Sequence, residues 1–273
     1  MALTMFGGPL SRRLPDTRTF TVEGPAHSLL LEPFTRRVRA EVDGVTVLDT
    51  TRGTLLFETG LPPQLYVPEE DVRADLLEPS ATATHCPFKG DATYRTLRVG
   101  DRVVPDAVWA YPDPKPEASW LAGRAVLVAS AADRWFDEDD EVIGHLPDPY
   151  HRVDLRRTSR RITVATPDGV PVADASGGVL LGETGLVDRL YLSRDAVSAT
   201  LEPSDKRTVC PYKGTASYFS VRVADGRVLT DAAWSYESPT AESQAITGLL
   251  CFAHDDLVVT GEVPAGAAAV STS

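Results

Sequence analysis

The chain repeats itself at a spacing of about 125 residues, which is the size of a small domain rather than of a solenoid repeat. The segment LLFETGLP at residues 55–62 returns as LLGETGLV at 180–187. HCPFKGDATY at residues 85–94 returns as VCPYKGTASY at 209–218. The sequence therefore predicts two homologous domains. The predicted boundaries are an extended arm over residues 1–27, a first domain over 28–150, a second domain over 151–260 and a disordered tail over 261–273.

Composition limits the classes of protein to which the chain can belong. The 273 residues include 39 acidic and 27 basic side chains, a formal net charge of −12, and 42% are hydrophobic. That hydrophobic fraction is sufficient for a folded core and too high for a disordered chain. An acidic surface does not neutralise phosphate backbones, so we expect no nucleic-acid partner. The charge is uneven: residues 28–150 carry 22 acidic and 12 basic residues, whereas residues 151–260 carry 14 and 12.

The sequence also predicts the cellular location of the protein. It contains no apolar run of about 18 residues, so we expect no membrane span. Residues 1–8 lack the basic lead and long apolar core of a secretory signal peptide. Three cysteines in a chain of this length argue against a disulfide framework. A cytoplasmic location is the expectation.

Local patterns favour strands over helices. Most segments alternate apolar and polar residues and end at Gly, Pro or Asp, as in RVRAEVDGVTVLDT, which predicts two strands around an Asp-Gly turn. Only Glu117–Trp135 and Ala241–Ala253 predict a helix. Each domain is therefore predicted to be mainly β with one helix, folded as a small antiparallel barrel or rolled sheet.

The motifs E-T-G-L-P, L-E-P-S, H-C-P-F-K-G, D-A-V-W-x-Y-P and W-F-D-E-D resemble those of the domain-of-unknown-function family 427. The resemblance covers nearly all of both repeats and implies a compact β-rich domain of the β-tent type, for which some family labels give nucleotidyl transfer. The second repeat departs from the motifs, with Val209 in place of His85, Gly182 in place of Phe57, and no W-F-D-E-D segment after Ala253. If the site needs those groups, the second copy is degenerate.

The Cys-Pro-aromatic-Lys-Gly segment is the leading candidate site. The chain has only four lysines, and two of them, Lys89 and Lys213, occupy the same place in the two repeats, as do Cys86 and Cys210. A compact ammonium three residues from a thiol favours a thiolate or an anion site. In the first repeat, His85 offers a base. The structural alternative is a tight β-turn in which Pro and Gly set the backbone and Cys fills a small buried space.

Glu58 and Glu183 each follow a strand that reads as buried and precede Thr-Gly-Leu. A carboxylate at this position is a buried partner for the lysine or a base facing a pocket. The alternative is a glutamate at a strand end that points to water.

Aromatic residues recur at matched positions. Trp and Tyr two residues apart on a strand project to one face. They predict either the wall of a pocket that stacks a planar ring or holds a cation, or a plain aromatic core. The recurring residues are Tyr66, Tyr94, Trp109 and Tyr111 in the first repeat and Tyr191, Tyr218, Trp234 and Tyr236 in the second.

Several chemistries have no motif in the chain. It lacks C-x-x-C, a phosphate-binding P-loop, a G-x-G-x-x-G turn and a G-x-S-x-G elbow. The Gly-Ser and Asp-x-Asp pattern of many nucleotidyl transferases is also missing. We expect no metal and no cofactor.

Three functions remain open. The leading hypothesis is a small-molecule-binding protein with one polar, aromatic pocket per repeat for an anionic or planar ligand, in which the two repeats pair within the chain. The second is an enzyme that uses the Cys/Lys/Glu cluster for thiol chemistry, acid–base chemistry or nucleotidyl transfer, with candidate catalytic residues Glu58, His85, Cys86 and Lys89. The third is a scaffold without a ligand. The predicted pocket residues are Glu58, Tyr66, Cys86, Lys89, Tyr94, Trp109 and Tyr111 in the first repeat, and Glu183, Tyr191, Cys210, Lys213, Tyr218, Trp234 and Tyr236 in the second.

Overall fold

A computed structural model describes residues 3–4, 10–11 and 26–263. The chain divides into two compact units, Met1–Tyr150 and His151–Ser273. Most of the predicted arm and tail lies outside the described residues. Gly261 and Glu262, which the sequence assigns to the tail, end a strand instead.

The first unit is built from two antiparallel sheets. Its larger sheet has the strand order β1-β4-β5-β9-β8-β7-β6 and its smaller sheet the order β11-β10-β2-β3. The strands of residues 26–150 are β1 (Leu29–Phe34), β2 (Val38–Val42), β3 (Val45–Thr50), β4 (Gly53–Glu58), β5 (Gln64–Pro68), β6 (Leu77–Cys86), β7 (Gly90–Val99), β8 (Arg102–Ala110), β9 (Arg124–Leu127), β10 (Arg134–Asp137) and β11 (Asp140–Glu141). Short 3-10 helices lie at Glu69–Asp71, Ala74–Leu76, Pro116–Leu121 and Ala129–Ala131.

The second unit repeats this arrangement. Its larger sheet has the order β12-β15-β16-β20-β19-β18-β17 and its smaller sheet the order β14-β13-β21. The strands of residues 151–263 are β12 (Val153–Thr158), β13 (Arg161–Ala165), β14 (Pro171–Ala175), β15 (Gly178–Glu183), β16 (Arg189–Leu192), β17 (Thr200–Cys210), β18 (Gly214–Arg222), β19 (Val228–Tyr236), β20 (Leu250–Phe252) and β21 (Val258–Glu262). The 3-10 helices are Arg194–Ala196 and Ala241–Ile246. The prediction of two homologous, mainly β domains is confirmed.

The predicted alternation of side chains explains how the sheets are covered. In β2, Val38, Ala40 and Val42 are buried, and the intervening residues are partly exposed. Asp43 and Gly44 join β2 to β3 with φ angles of 48° and 75°, as a type I′ hairpin turn requires. Each unit has a larger apolar core that includes both of its sheets, and a smaller core on the opposite face of its larger sheet. The smaller core contains the candidate site.

The extent of the predicted helices is wrong. A helix is present in each domain, but it is a six-residue 3-10 helix, Pro116–Leu121 or Ala241–Ile246, that ends before a glycine with positive φ at Gly123 or Gly248. The apolar residues that follow form β9 and β20. They become strands because each fills a position between two strands of its larger sheet, where its backbone groups are paired on both sides.

Candidate functional site

The candidate site lies on the face of the larger sheet that carries the smaller core. Glu58 ends β4, Tyr66 lies on the neighbouring β5, and Trp109 lies on β8 opposite Tyr94 of β7. Tyr66 and Trp109 pack with Tyr111 and Cys86 in this core. Sequence-distant residues meet here because the strand order places β4, β5, β9, β8 and β7 side by side.

Three titratable side chains form a buried network in the first unit. The Lys89 ammonium donates to Glu58 Oε2, and His27 Nε2 lies 2.9 Å from Glu58 Oε1. The side chains of Lys89 and Glu58 are each 8% exposed and that of His27 is 10% exposed. The His27 ring stacks on Phe88, with centroids 3.7 Å apart. A buried charge needs a paired partner, and here the lysine and the glutamate compensate each other.

The second unit contains the same network. Lys213 donates to Glu183 Oε2, and His151 Nε2 lies 3.1 Å from Glu183 Oε1. His151 stacks on Tyr212 at 4.2 Å between centroids. In both repeats, therefore, the glutamate is the buried partner of the lysine, which is one of the two roles that the sequence suggests for it.

The turn between β6 and β7 holds the lysine in place. Gly90 has a φ of +107°, a conformation that is favourable only for glycine, and a Cβ atom there would lie 3.3 Å from the Asp113 carbonyl oxygen. The backbone N–H of Lys115 donates to the Lys89 carbonyl oxygen at 3.0 Å, and the Lys115 ammonium donates to the Pro87 carbonyl oxygen at 2.5 Å. The tight turn and the buried lysine are thus parts of one structure.

Aromatic side chains surround the network in the first unit. Trp109 meets Tyr66 and Tyr111 edge to face, with centroids 5.4 and 5.5 Å away. Burial raises the pKa of both tyrosines well above the usual value, so both phenols are neutral. The Cys86 side chain packs against the same core as Tyr111. The Tyr66 hydroxyl is buried and has no hydrogen-bond partner among the described residues.

The second unit arranges the equivalent aromatic groups differently. Trp234 Nε1 donates to the Tyr191 hydroxyl at 3.2 Å, so this phenol is satisfied within the protein. The rings of Tyr218 and Trp234 lie 6.0 Å apart. Arg189 lies over the Trp234 ring at 5.7 Å and Lys206 over the Tyr218 ring at 4.4 Å.

The family model described as Domain of unknown function (DUF427) matches residues 30–138 and 154–263. The chain belongs to this family. It contains two copies of the DUF427 domain, as the resemblance implies. No curated protein matches the chain. Both matched stretches begin shortly after a site histidine, so the two DUF427 networks each include one residue from just before the match.

The histidine that contacts Glu58 is His27, whereas the sequence suggests His85. The side chain of His85 is 62% exposed and pairs with Asp91 at 2.6 Å, outside the Lys89–Glu58 network. His27 and His151 are not among the site residues that the sequence predicts. The repeat identifies them, because they are the only two of the five histidines in the sequence that recur at its spacing of about 125 residues.

The departures of the second DUF427 repeat leave the network intact. Val209 replaces the exposed His85, which is not part of it. Phe57 lies in the larger core and meets Tyr150 edge to face at 5.3 Å, so its replacement by Gly182 also falls outside the site. Tyr94 and Tyr218 are matched as well, since their hydroxyls bond to Thr84 and Thr208 at 3.0 and 3.1 Å.

Residues 3–4, 10–11 and 26–263 contain no group of three or more His, Cys, Asp or Glu side chains suited to a metal ion. In that same part of the chain, no helix is long and apolar enough to cross a membrane.

A cleft of about 510 Å³ lies elsewhere in the second DUF427 unit. Its residues Leu190, Phe252, Leu257 and Val259 belong to the larger core or pack against it, on the face opposite Trp234. Arg189, which lies over the Trp234 ring, also lines the cleft, whereas His151, Glu183 and Lys213 do not. The lining residues are Asp188, Arg189, Leu190, Phe252, Ala253, His254, Asp255, Leu257 and Val259.

Proposed function

We propose that each DUF427 repeat binds a small planar molecule against its Trp–Tyr surface, beside the His–Glu–Lys network. The observation that carries the proposal is the Tyr66 hydroxyl, which is buried without a hydrogen-bond partner among the described residues. Leaving such a group unsatisfied costs about 1–3 kcal/mol, and a polar atom of a ligand offsets that cost.

The surroundings of the Tyr66 hydroxyl suit a ligand with both an aromatic and a polar part. Burial raises the pKa of Tyr66, and the nearby Tyr111, Glu58 and Cys86 side chains add to that effect, so these groups converge on one place. Trp109 is partly exposed and stacks on neither Tyr66 nor Tyr111. An indole of this kind offers its ring to a planar ligand, while the phenol and the charged network offer hydrogen bonds.

The Tyr66→Phe variant tests the proposal because it separates binding from folding. Removing an unsatisfied buried hydroxyl is neutral or stabilising for the fold, so we expect an unchanged or higher Tm. We expect binding of planar aromatic fragments, such as benzamide, to weaken at least about five-fold, which corresponds to the loss of one hydrogen bond of about 1 kcal/mol. The four tryptophans each give one indole N–H signal in an NMR spectrum, and the Trp109 signal reports the titration.

The matched control is Tyr191→Phe, which removes the acceptor of the Trp234 indole N–H. We expect this variant to lower the stability of the second unit and to leave fragment binding at Trp109 unchanged. A Tyr66→Phe protein that is destabilised and binds as the wild type does would support the scaffold hypothesis instead.

Acid–base catalysis is the second candidate function, and the serial contact of His27, Glu58 and Lys89 favours it. Such a chain of groups can hold and pass a proton. Once a substrate is identified, Glu58→Gln is expected to lower kcat by about 10²-fold or more with little change in KM. Equal kcat values for the variant and the wild type would rule out this role.

A further inference from the structure

The two DUF427 sites share their network and differ in the charges beside the aromatic rings. Gln64 occupies in β5 the position that Arg189 has in β16, since Gln64 pairs with Leu56 and Arg189 pairs with the equivalent Leu181. Thr82 likewise corresponds to Lys206, two residues before the matched threonines that bond to Tyr94 and Tyr218. At these two positions the first site has neutral side chains, with Thr82 bonded to Asp106, and the second site has two cations.

The Arg189 guanidinium is available to a ligand. It lies over the Trp234 ring at 5.7 Å, and within residues 26–263 no carboxylate forms an ion pair with it. Stacking on an indole leaves the N–H donors of a guanidinium, which lie in its plane, free for an oxyanion. Lys206 pairs with Asp231 at 3.6 Å, but its side chain is 46% exposed, so this contact is weak.

The two sites also differ in whether the tyrosine hydroxyl has a hydrogen-bond partner. In the first site the Tyr66 hydroxyl has no hydrogen-bond partner within the described ranges, whereas in the second the Tyr191 hydroxyl accepts from Trp234. At the second site, Arg189 and Lys206 are therefore the groups that remain to bind a ligand. The net charges of the two domains agree with this difference, because residues 28–150 carry ten more acidic than basic residues and residues 151–260 carry only two more. The first domain repels anions more strongly than the second.

We propose that the second DUF427 site is selective for a planar oxyanion, a carboxylate or phosphate ester, while the first takes a neutral planar ligand. Arg189 and its counterpart Gln64 decide the difference. The inference rests on the proposed function of both sites, and it adds the charge of each ligand and the residues that select it.

The experiment compares benzoate with benzamide, which have nearly the same shape and differ in charge. Each is titrated into the full chain at constant ionic strength, and the indole signals of Trp109 and Trp234 report the two sites in the same sample. Trp135 is the internal reference, because its indole N–H donates to the Ala129 carbonyl oxygen and its ring packs against the larger core. At Trp234 we expect benzoate to bind at least about ten-fold more tightly than benzamide, with no such preference at Trp109.

Exchanging the two residues tests the assignment. Arg189→Gln is expected to abolish the preference for benzoate at Trp234, and Gln64→Arg is expected to create one at Trp109. Equal binding of the two probes at Trp234, or an Arg189→Gln protein that keeps its preference, would overturn the charge selectivity while leaving ligand binding in place. Absence of any shift at Trp109 and Trp234 with both probes would count against the proposed function as well.

Discussion

At the scale of single residues, the chain retains in both domains a buried ion pair that an apolar pair of similar volume would replace without loss of stability. Removing two charges from water costs several kcal/mol per ion, and the attraction within the pair only roughly offsets that cost. Lys89 and Glu58 are each about nine-tenths buried, and Lys213 and Glu183 repeat the arrangement. Stability alone therefore does not account for the pair.

Breaking this pair is expected to be costly. Glu58→Gln leaves the Lys89 ammonium buried without a counter-charge and is expected to lower the free energy of unfolding of the first unit by about 3–5 kcal/mol. The double variant Glu58→Leu/Lys89→Met is expected to regain most of that loss, because neither charge remains. Urea unfolding followed by tryptophan fluorescence measures both.

Glu141→Gln is the matched control, since the Glu141 side chain is 53% exposed and pairs with Arg134 at the surface. Such pairs contribute at most about 1 kcal/mol. A Glu58→Gln protein that loses no more stability than Glu141→Gln would show that the buried pair is not formed as described.

Buried tyrosines set the alkaline limit of stability. Burial raises the pKa of Tyr66, Tyr111, Tyr191 and Tyr236 above the ordinary value, so these phenols contribute stability that is fully present below about pH 10. Above that pH the unfolded chain loses these protons first, and stability falls as pH rises. We expect about half of the tyrosinate absorbance at high pH to appear together with unfolding. Titration of all eight tyrosines below the unfolding transition would contradict the burial of these four.

At the scale of elements, the turn between β6 and β7 and the 3-10 helix after β8 are coupled. The Lys89 carbonyl oxygen accepts from Lys115, one residue before the helix Pro116–Leu121, and Gly90 lies against the Asp113 backbone. The turn between β17 and β18 has the same arrangement, with Thr240 donating to the Lys213 carbonyl oxygen. The lysine position therefore depends on two segments that are distant in sequence.

Gly90→Ala is expected to disturb this coupling. The alanine would be strained at a φ of +107°, and its Cβ would lie 3.3 Å from the Asp113 carbonyl oxygen, so we expect a loss of about 2–3 kcal/mol. Gly44→Ala provides the comparison, because a Cβ there meets nothing within 4 Å and only the φ of +75° is unfavourable. That variant is expected to lose about 1–2 kcal/mol. Thermal unfolding of both proteins gives the comparison, and an equal loss would contradict the close approach at Gly90.

At the scale of the whole molecule, each DUF427 unit has its own two cores. Within the described part of the chain, the cores of the second unit consist of residues between 153 and 259, and its seven-stranded sheet pairs only strands of the same unit. A domain of this size with a core of its own can fold alone.

We therefore expect residues 151–273, expressed alone, to fold. The far-ultraviolet circular dichroism should be that of a β protein, and urea unfolding should be cooperative. The Trp234 indole signal should keep its position in the full-length spectrum, since its partner Tyr191 lies in the same unit. An unfolded or aggregated product would mean that the first unit is needed to form the second.

The repeat, the mainly β class and most of the residues that meet at the site follow from the sequence alone, because a duplicated domain marks its shared residues and alternation marks its strands. The sequence did not determine the lengths of the helices, since β9 and β20 are strands only because neighbouring strands pair with them. It also selected His85, a neighbour of Cys86 in sequence, where the structure has His27 in contact with Glu58. That contact arises because β1 pairs with β4, which brings residues 27 and 58 together across 31 positions of the chain. Proximity in sequence is local, whereas the network of this site is made by strand pairing, and only the tertiary structure contains that information.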